Sequence, residues 1–207
     1  MFSVKNNVIL IVTLLFLAAA FSISFGATGP VDQFAGAKER TGLVTAKGEP
    51  LTLLGSEVKV GDAAPPFTVV GNDMKPVDFS SYKGKAVIIS AVPSLDTPVC
   101  NRETHRFNEE APKLGKDTVI LTISMDLPFA QKRWCGAEGV NKVVTLSDYR
   151  YASFGLAWGV LIRQTHLLSR AVFIIDREGV IRYIQRVKDI SNEPDYDDVL
   201  SALKKLT

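Results

Sequence analysis

The stretch AVIISAVPSLDTPVC, residues 86–100, decides the fold of this chain. Its first part, residues 86–92, is a continuous apolar run, which is typical of a strand buried on both faces of a sheet. Pro98 suits the first turn of a helix, because the N–H group that proline lacks would have no partner there. The segment therefore predicts a buried strand, a short loop and a helix that begins just before Cys100.

Two more apolar runs extend this strand into a sheet. They are VILTI at residues 119–123 and AVFII at residues 171–175, and a turn at Gly179 leads the second run into VIRYI at residues 180–184. Apolar residues at helical spacing follow the first strand and recur over residues 196–206, which predicts helices there. This order resembles the thioredoxin-like fold, an α/β architecture with a mixed central sheet and helices on both faces.

Two shorter sequence patterns precede this sheet, one typical of a hairpin and one of a linker. β-Forming residues at 43–45 and 51–53 flank Lys47 and Gly48 and predict an N-terminal β-hairpin. Residues 27–40 are rich in Gly and Ala with mixed charges, as in a linker. We therefore expect a linker over 27–40 and one domain over 41–207, a size that supports a single core.

The first 26 residues differ in composition from the rest. Lys5 is the only charged side chain in residues 1–26, and residues 8–25 are uncharged and largely apolar. A lysine, an apolar run and small residues at Ser24 and Gly26 predict a signal peptide over 1–26. The alternative is an uncleaved membrane anchor, because the run approaches the roughly 20 residues that span a bilayer. Both interpretations predict an exported protein, periplasmic or tethered to the membrane through residues 8–25 and facing the periplasm.

Composition narrows the classes of function. The net charge of +2 comes without a basic block, which argues against nucleic acid as a partner. Two cysteines and two histidines at scattered positions provide too few ligands for a typical metal site. Cys100 and Cys135 therefore form either one structural bridge or a chemical site.

Cys100 has the setting of a reactive thiol. In the first turn of a helix, free N–H groups and the positive end of the helix dipole favour a thiolate. Thr97, one turn earlier, can present its hydroxyl to the same sulfur. The alternative, a buried and inert cysteine, does not account for the strand end and the proline-led helix start around it.

The segment around Cys100 resembles the active site of a known family. The spacing of Pro93, Thr97 and Cys100 is similar to the active-site signature of the peroxiredoxins. Three segments resemble more narrowly the thiol peroxidase subfamily, the atypical two-cysteine peroxiredoxins, and the resemblance covers residues 41–206. These segments are PSLDTPVC at 93–100, DLPFAQ at 126–131 running into RWCG at 133–136, and NEPDYD at 192–197.

The resemblance implies roles for five residues. Cys100 matches the peroxidatic cysteine and Cys135 the resolving cysteine of the same chain. Thr97 matches the hydroxyl partner of the sulfur, Pro93 belongs to the signature, and Arg170 matches the active-site arginine before a core strand. A permanently charged guanidinium at that place would stabilise a thiolate and hydrogen-bond peroxide oxygens.

The resemblance also implies a reaction and its partners. Hydrogen peroxide and organic hydroperoxides are the expected substrates, with a sulfenic acid at Cys100 and then a disulfide with Cys135. Thioredoxin or a thioredoxin-like protein is the expected reductant, and a homodimer the expected assembly. No cofactor is expected, because sulfur is the redox centre. A bridge needs Cα atoms within about 7 Å, so we expect local unwinding around one or both cysteines.

Two other interpretations use the same cysteines. An exported domain with two cysteines can carry a permanent structural bridge. The chain could also be an exported thioredoxin-like protein that exchanges disulfides with partners. Cys100 has no second cysteine two residues further on, so the C-x-x-C motif typical of that chemistry is missing.

Overall fold

The structure is a computed structural model and describes residues 32–206. The chain divides into two compact units, residues 1–35 and residues 36–207. Of the first unit only residues 32–35 are described, and they belong to a turn in which the N–H group of Ala35 donates to the carbonyl of Asp32. The second unit contains all the helices and strands of the described residues.

The expected leader, residues 1–26, lies outside the described residues. Among residues 32–206, no helix has the length and apolar character needed to span a bilayer. The first strand begins at Glu39, so it includes the last two residues of the expected linker, residues 27–40.

The described residues form ten strands and four helices. The strands are β1 (Glu39–Ala46), β2 (Glu49–Leu54), β3 (Thr68–Gly71), β4 (Pro76–Asp78), β5 (Ala86–Ala91), β6 (Thr118–Ser124), β7 (Val144–Ser147), β8 (Leu161–Ile162), β9 (Ala171–Ile175) and β10 (Ile181–Arg186). The helices are α1 (Pro98–Glu110), α2 (Pro128–Glu138), α3 (Ser153–Ala157) and α4 (Tyr196–Lys204), with short 3₁₀ turns at Phe79–Tyr82 and Ala111–Lys113.

Seven strands form the central sheet, in the order β10-β9-β5-β6-β7-β3-β4. β5 pairs with β6 in parallel, and β6 with β7 in parallel, whereas β9 runs antiparallel to β5. All six residues of β5 are buried, as the continuous apolar run requires. The predicted mixed sheet of a thioredoxin-like fold is confirmed.

Helices cover both faces of this sheet. Ile88 and Val172 lie on one face and share a core with side chains of α1, α2 and α4. Phe173 points to the opposite face, where its ring lies 5.0 Å from the ring of Trp158, and Trp158 in turn contacts Phe154 of α3. Adjacent residues of β9 thus serve different cores, because side chains alternate along a strand.

The N-terminal hairpin is also confirmed. β1 and β2 pair antiparallel, and Lys47 and Gly48 between them both have positive φ angles, 51° and 86°. Positive φ at both central residues is typical of a type I′ hairpin turn. The hairpin joins β8 in a separate three-stranded sheet, which the sequence analysis did not predict.

Candidate active site

Cys100 lies in the first turn of α1, as predicted. Thr97 is the N-cap of this helix and Pro98 its first residue. The Cys100 side chain is 0% exposed. The first-turn N–H groups of a helix have no carbonyl partner within the helix, so they favour negative charge near the sulfur.

Thr97 contacts the sulfur directly. Its Oγ1 lies 2.8 Å from Sγ of Cys100 and 2.9 Å from the carbonyl oxygen of Ser94. A hydroxyl has only one proton to donate. When Cys100 is a thiol, its S–H can donate to Thr97 while Thr97 donates to the Ser94 carbonyl; when Cys100 is a thiolate, the hydroxyl turns and donates to the sulfur. Both protonation states of Cys100 therefore have a hydrogen bond.

Arg170 provides the charge beside the sulfur. Its Nη2 donates to Sγ of Cys100 at 3.3 Å, and its Nε donates to the carbonyl of Ile190 at 3.0 Å. Ala171 pairs with Ala91, so β9 begins where β5 ends. Because β9 is antiparallel to β5, its beginning lies next to the Cys100 loop, and Arg170 reaches the sulfur from there.

Glu103 completes the site and was not identified from the sequence as a functional residue. It lies one turn after Cys100 on α1, accepts a hydrogen bond from Nη1 of Arg170 and another from Oγ of Ser90 at 2.7 Å, and is fully buried. Burial raises the pKa of Glu103, although the positive charge of Arg170 acts to lower it. Burial lowers the pKa of Arg170, but the interactions with Glu103 and Cys100 together have the larger effect. The pKa of Arg170 is therefore raised. Glu103 thus holds the guanidinium in place.

Cys135 lies elsewhere in the fold, in the last turn of α2. It is half-buried, and its Sγ lies 3.3 Å from Oγ1 of Thr145 on β7. Both cysteines are free thiols in this structure. Pro93 is buried at the start of the loop that leads from β5 to α1. The structure therefore brings Thr97, Arg170 and Cys100 together, and gives the two cysteines different hydrogen-bond partners.

A cleft of about 240 Å³ opens beside this site. Thr97, Pro98 and Asn101 line one side of it, and Trp134 and Glu138 of α2 line the other. Thr97 is the residue that connects this cleft with the buried sulfur. A second cleft, of about 230 Å³, lies near the start of β5 and the end of β9, and none of the five predicted site residues lines it.

Known proteins share this chain's sequence and fold. Residues 59–200 match the Redoxin family model. The chain is 56% identical over 162 residues to a thiol peroxidase of Oceanobacillus iheyensis, which covers 78% of this chain and 98% of that protein. It is 53% identical over 163 residues to a thiol peroxidase of Bacillus subtilis, covering 79% of this chain and 97% of that protein.

A solved structure of a similar protein supports the same family. The crystal structure of a peroxiredoxin-like protein from Aquifex aeolicus superimposes with a TM-score of 0.76 at 44% sequence identity, and covers 81% of this chain and 98% of that one. The similarity thus extends over nearly the whole length of each of these relatives. The chain belongs to the Redoxin family and, within it, to the thiol peroxidase subfamily of the peroxiredoxins, and it is a peroxidase enzyme.

Proposed function

We propose that Cys100 is the peroxidatic cysteine and reduces hydrogen peroxide and organic hydroperoxides. The observation that supports this most is the pair of donors, Thr97 and Arg170, directed at one fully buried sulfur. The thiolate attacks the distal oxygen of the hydroperoxide, the S–O bond forms and the O–O bond breaks. Cys100 becomes a sulfenic acid, and the departing oxygen takes a proton and leaves as an alcohol or water.

Arg170 has a second role in this step. Its guanidinium carries several N–H groups, of which one points to the sulfur and others contact Glu103 and Ile190. Negative charge moves from the sulfur to the departing oxygen as the O–O bond lengthens. A fixed cation beside both atoms stabilises this charge without having to reorganise during the reaction.

Cys135 then resolves the sulfenic acid. Its thiol sulfur attacks Sγ of Cys100, the S–OH bond breaks, and the hydroxyl leaves with a proton as water, which yields an intramolecular disulfide. Because the Cα atoms must come within about 7 Å, and the two residues lie in the first turn of α1 and the last turn of α2, one or both turns unwind in this step.

A dithiol returns the enzyme to its starting state. One thiolate of thioredoxin or a thioredoxin-like protein attacks the disulfide, and its second thiol releases the enzyme, so that two thiols are oxidised for each peroxide reduced. The resemblance also suggests a homodimer, which light scattering of the purified protein tests: a monomeric mass contradicts it.

The test of the mechanism compares three proteins. Reduced wild type, Cys100→Ser and Cys135→Ser are mixed with hydrogen peroxide or cumene hydroperoxide, and peroxide loss and free thiols are followed. We expect Cys100→Ser to consume no peroxide. Cys135→Ser should complete one turnover and then stop with thioredoxin as the reductant. Peroxide consumption that survives Cys100→Ser would overturn the assignment.

For location, we propose export through the apolar N-terminal segment. The support is the uncharged run at residues 8–25 behind Lys5. A chain with a C-terminal tag, produced in a bacterial host, should appear in the periplasmic or membrane fraction. The mass of the exported protein distinguishes a cleaved signal peptide from an uncleaved tether, and recovery in the cytoplasmic fraction alone would contradict export.

A further inference from the structure

We propose that Asp126 is a positioning residue that sets the balance between peroxide attack and disulfide formation. Its carboxylate ties the loop in front of Cys100 to the segment that begins the helix of Cys135. The inference depends on the proposed function, because it assigns rates to the two thiol steps described there.

On one side, Asp126 holds the loop of the reactive cysteine. Oδ1 accepts a hydrogen bond from Oγ of Ser94 at 2.7 Å, and Oδ2 accepts one from the N–H group of Leu95 at 2.8 Å. The hydroxyl of Thr97 contacts both the carbonyl of Ser94 and the sulfur of Cys100. Asp126 therefore fixes the peptide that positions the hydroxyl partner of the sulfur.

On the other side, Asp126 is joined to the sheet next to α2. Its Oδ2 accepts a second hydrogen bond, from Oγ of Ser124 at 2.7 Å, and its carbonyl accepts one from Ser147. Gln131 of α2 donates to Ser124 at 2.9 Å and to the carbonyl of Leu146 at 2.9 Å. The side chains of Ser124, Gln131 and Ser147 are fully buried, so this side of the connection is rigid.

Its position gives Asp126 opposite effects on the two steps. Three hydrogen bonds end on one carboxylate, and hydrogen bonds to an ionised group are stronger than neutral ones. While they hold, Thr97 stays aligned with Cys100, which favours attack on peroxide. The loop has to leave this position if Cys100 is to move towards Cys135, so the same bonds slow the formation of the disulfide.

The test measures both steps in Asp126→Ala. Rapid mixing with peroxide yields the second-order rate constant of sulfenic acid formation, and the subsequent first-order phase yields disulfide formation, with acid-quenched mass spectrometry to identify each species. We expect the first rate constant to fall and the second to rise, each by about fivefold, the factor that one net hydrogen bond corresponds to. The fraction of Cys100 oxidised to sulfinic acid at high peroxide should fall with it.

A matched control separates positioning from general destabilisation. Asp176 is also a carboxylate that fixes a turn, since it accepts hydrogen bonds from the N–H groups of Glu178 and Val180, and it lies at the end of β9 that is remote from Arg170. Asp176→Ala should leave the ratio of the two rate constants at the wild-type value. Asp126→Asn keeps one acceptor oxygen, and should shift both rates in the same directions as Asp126→Ala but less; it carries the test if the alanine variant does not fold.

The outcomes distinguish this inference from the proposed function. If the wild type forms both species and the folded Asp126 variants keep the wild-type ratio, or slow both steps together, Asp126 has no positioning role. If the wild type itself forms no sulfenic acid with peroxide, the proposed function fails first.

Discussion

The two cysteines of this chain have opposite environments. Cys100 is fully buried, and its sulfur contacts the hydroxyl of Thr97 and the guanidinium of Arg170. Cys135 is half-buried, and its sulfur has the hydroxyl of Thr145 as its hydrogen-bonding neighbour, at 3.3 Å. Two oriented donors thus converge on the sulfur of Cys100, whereas one hydroxyl contacts the sulfur of Cys135 in the last turn of a helix.

This difference assigns a different physical requirement to each thiol. A nucleophile that attacks a small peroxide gains from donors that are already oriented, because their reorganisation would add to the barrier. In the proposed mechanism the two sulfurs then have to approach each other, so contacts that hold Cys135 strongly would slow the formation of the disulfide.

Arg170→Lys should strongly reduce the rate at which Cys100 attacks peroxide. The lysine keeps the charge beside Glu103, but one ammonium group cannot reproduce the fork that contacts Glu103, Ile190 and Cys100 together. We expect kcat/KM for hydrogen peroxide to fall about 100-fold, the usual effect of removing one oriented donor, with the first-order rate of disulfide formation within about twofold. Arg150→Lys, at a surface residue that contacts neither cysteine, is the control, and an equal loss in both variants would contradict the assignment.

The stability of the fold should depend on pH through a buried carboxyl group that follows β7. The strand that carries Thr145, β7, ends directly before Asp148, whose carboxylate accepts hydrogen bonds from the N–H groups of Phe154 and Gly155 at 3.2 and 2.8 Å. Burial raises the pKa of Asp148 from 3.8 to about 6, although these hydrogen bonds oppose the shift. In the folded protein Asp148 thus retains its proton at pH values where the unfolded chain has lost it.

The sign of the pH effect follows from this shift. A raised carboxyl pKa contributes stability that is complete below the unfolded value and is lost as the pH rises through about 6. Between about pH 4.5 and 7.5 the free energy of unfolding of the wild type should fall relative to Asp148→Asn by about 2 kcal/mol. Urea unfolding at both pH values measures it. Asp117→Asn, at an exposed carboxylate, should keep the wild-type slope, and parallel slopes for wild type and Asp148→Asn would contradict the prediction.

Local rules were enough to predict the Cys100 side of the site. A buried apolar run followed by Pro98 fixes a strand, a loop and a helix start within a few residues, so the positions of Thr97 and Cys100 follow from neighbours in sequence. Arg170 is distant in sequence, and its role followed from the family resemblance together with the apolar strand after it.

The remaining features depend on pairing between distant segments. In the sequence, nothing distinguishes Glu103 from other helix residues. Its place in the site depends on contacts with Arg170 and Ser90, which come from other segments of the fold. The strands β3, β4, β7 and β8 were not predicted, because they have two to four residues each and owe their structure to neighbouring strands. The Thr145 contact of Cys135 was missed for the same reason, since β7 has too few residues to show a pattern.

The last turn of α2 provides the smallest and most selective test. Gly139 caps this helix at a φ of 68°, and its N–H group and that of Val140 both donate to the carbonyl of Cys135. An alanine there meets nothing within 4 Å, so its cost is the left-handed backbone alone, roughly 1 kcal/mol.

Gly139→Ala should therefore loosen the turn that holds Cys135 without affecting Cys100. If this turn unwinds during resolution, the first-order rate of disulfide formation rises about fivefold, which corresponds to that cost, while peroxide attack keeps its wild-type rate. Gly179→Ala is the matched control, because Gly179 has a φ of 82°, also has nothing within 4 Å of its added Cβ, and lies in the turn between β9 and β10. Stopped-flow measurement of both phases decides the result. An unchanged resolution rate in Gly139→Ala would mean that the last turn of α2 stays folded, so that the movement falls to the first turn of α1 and the Cys100 loop.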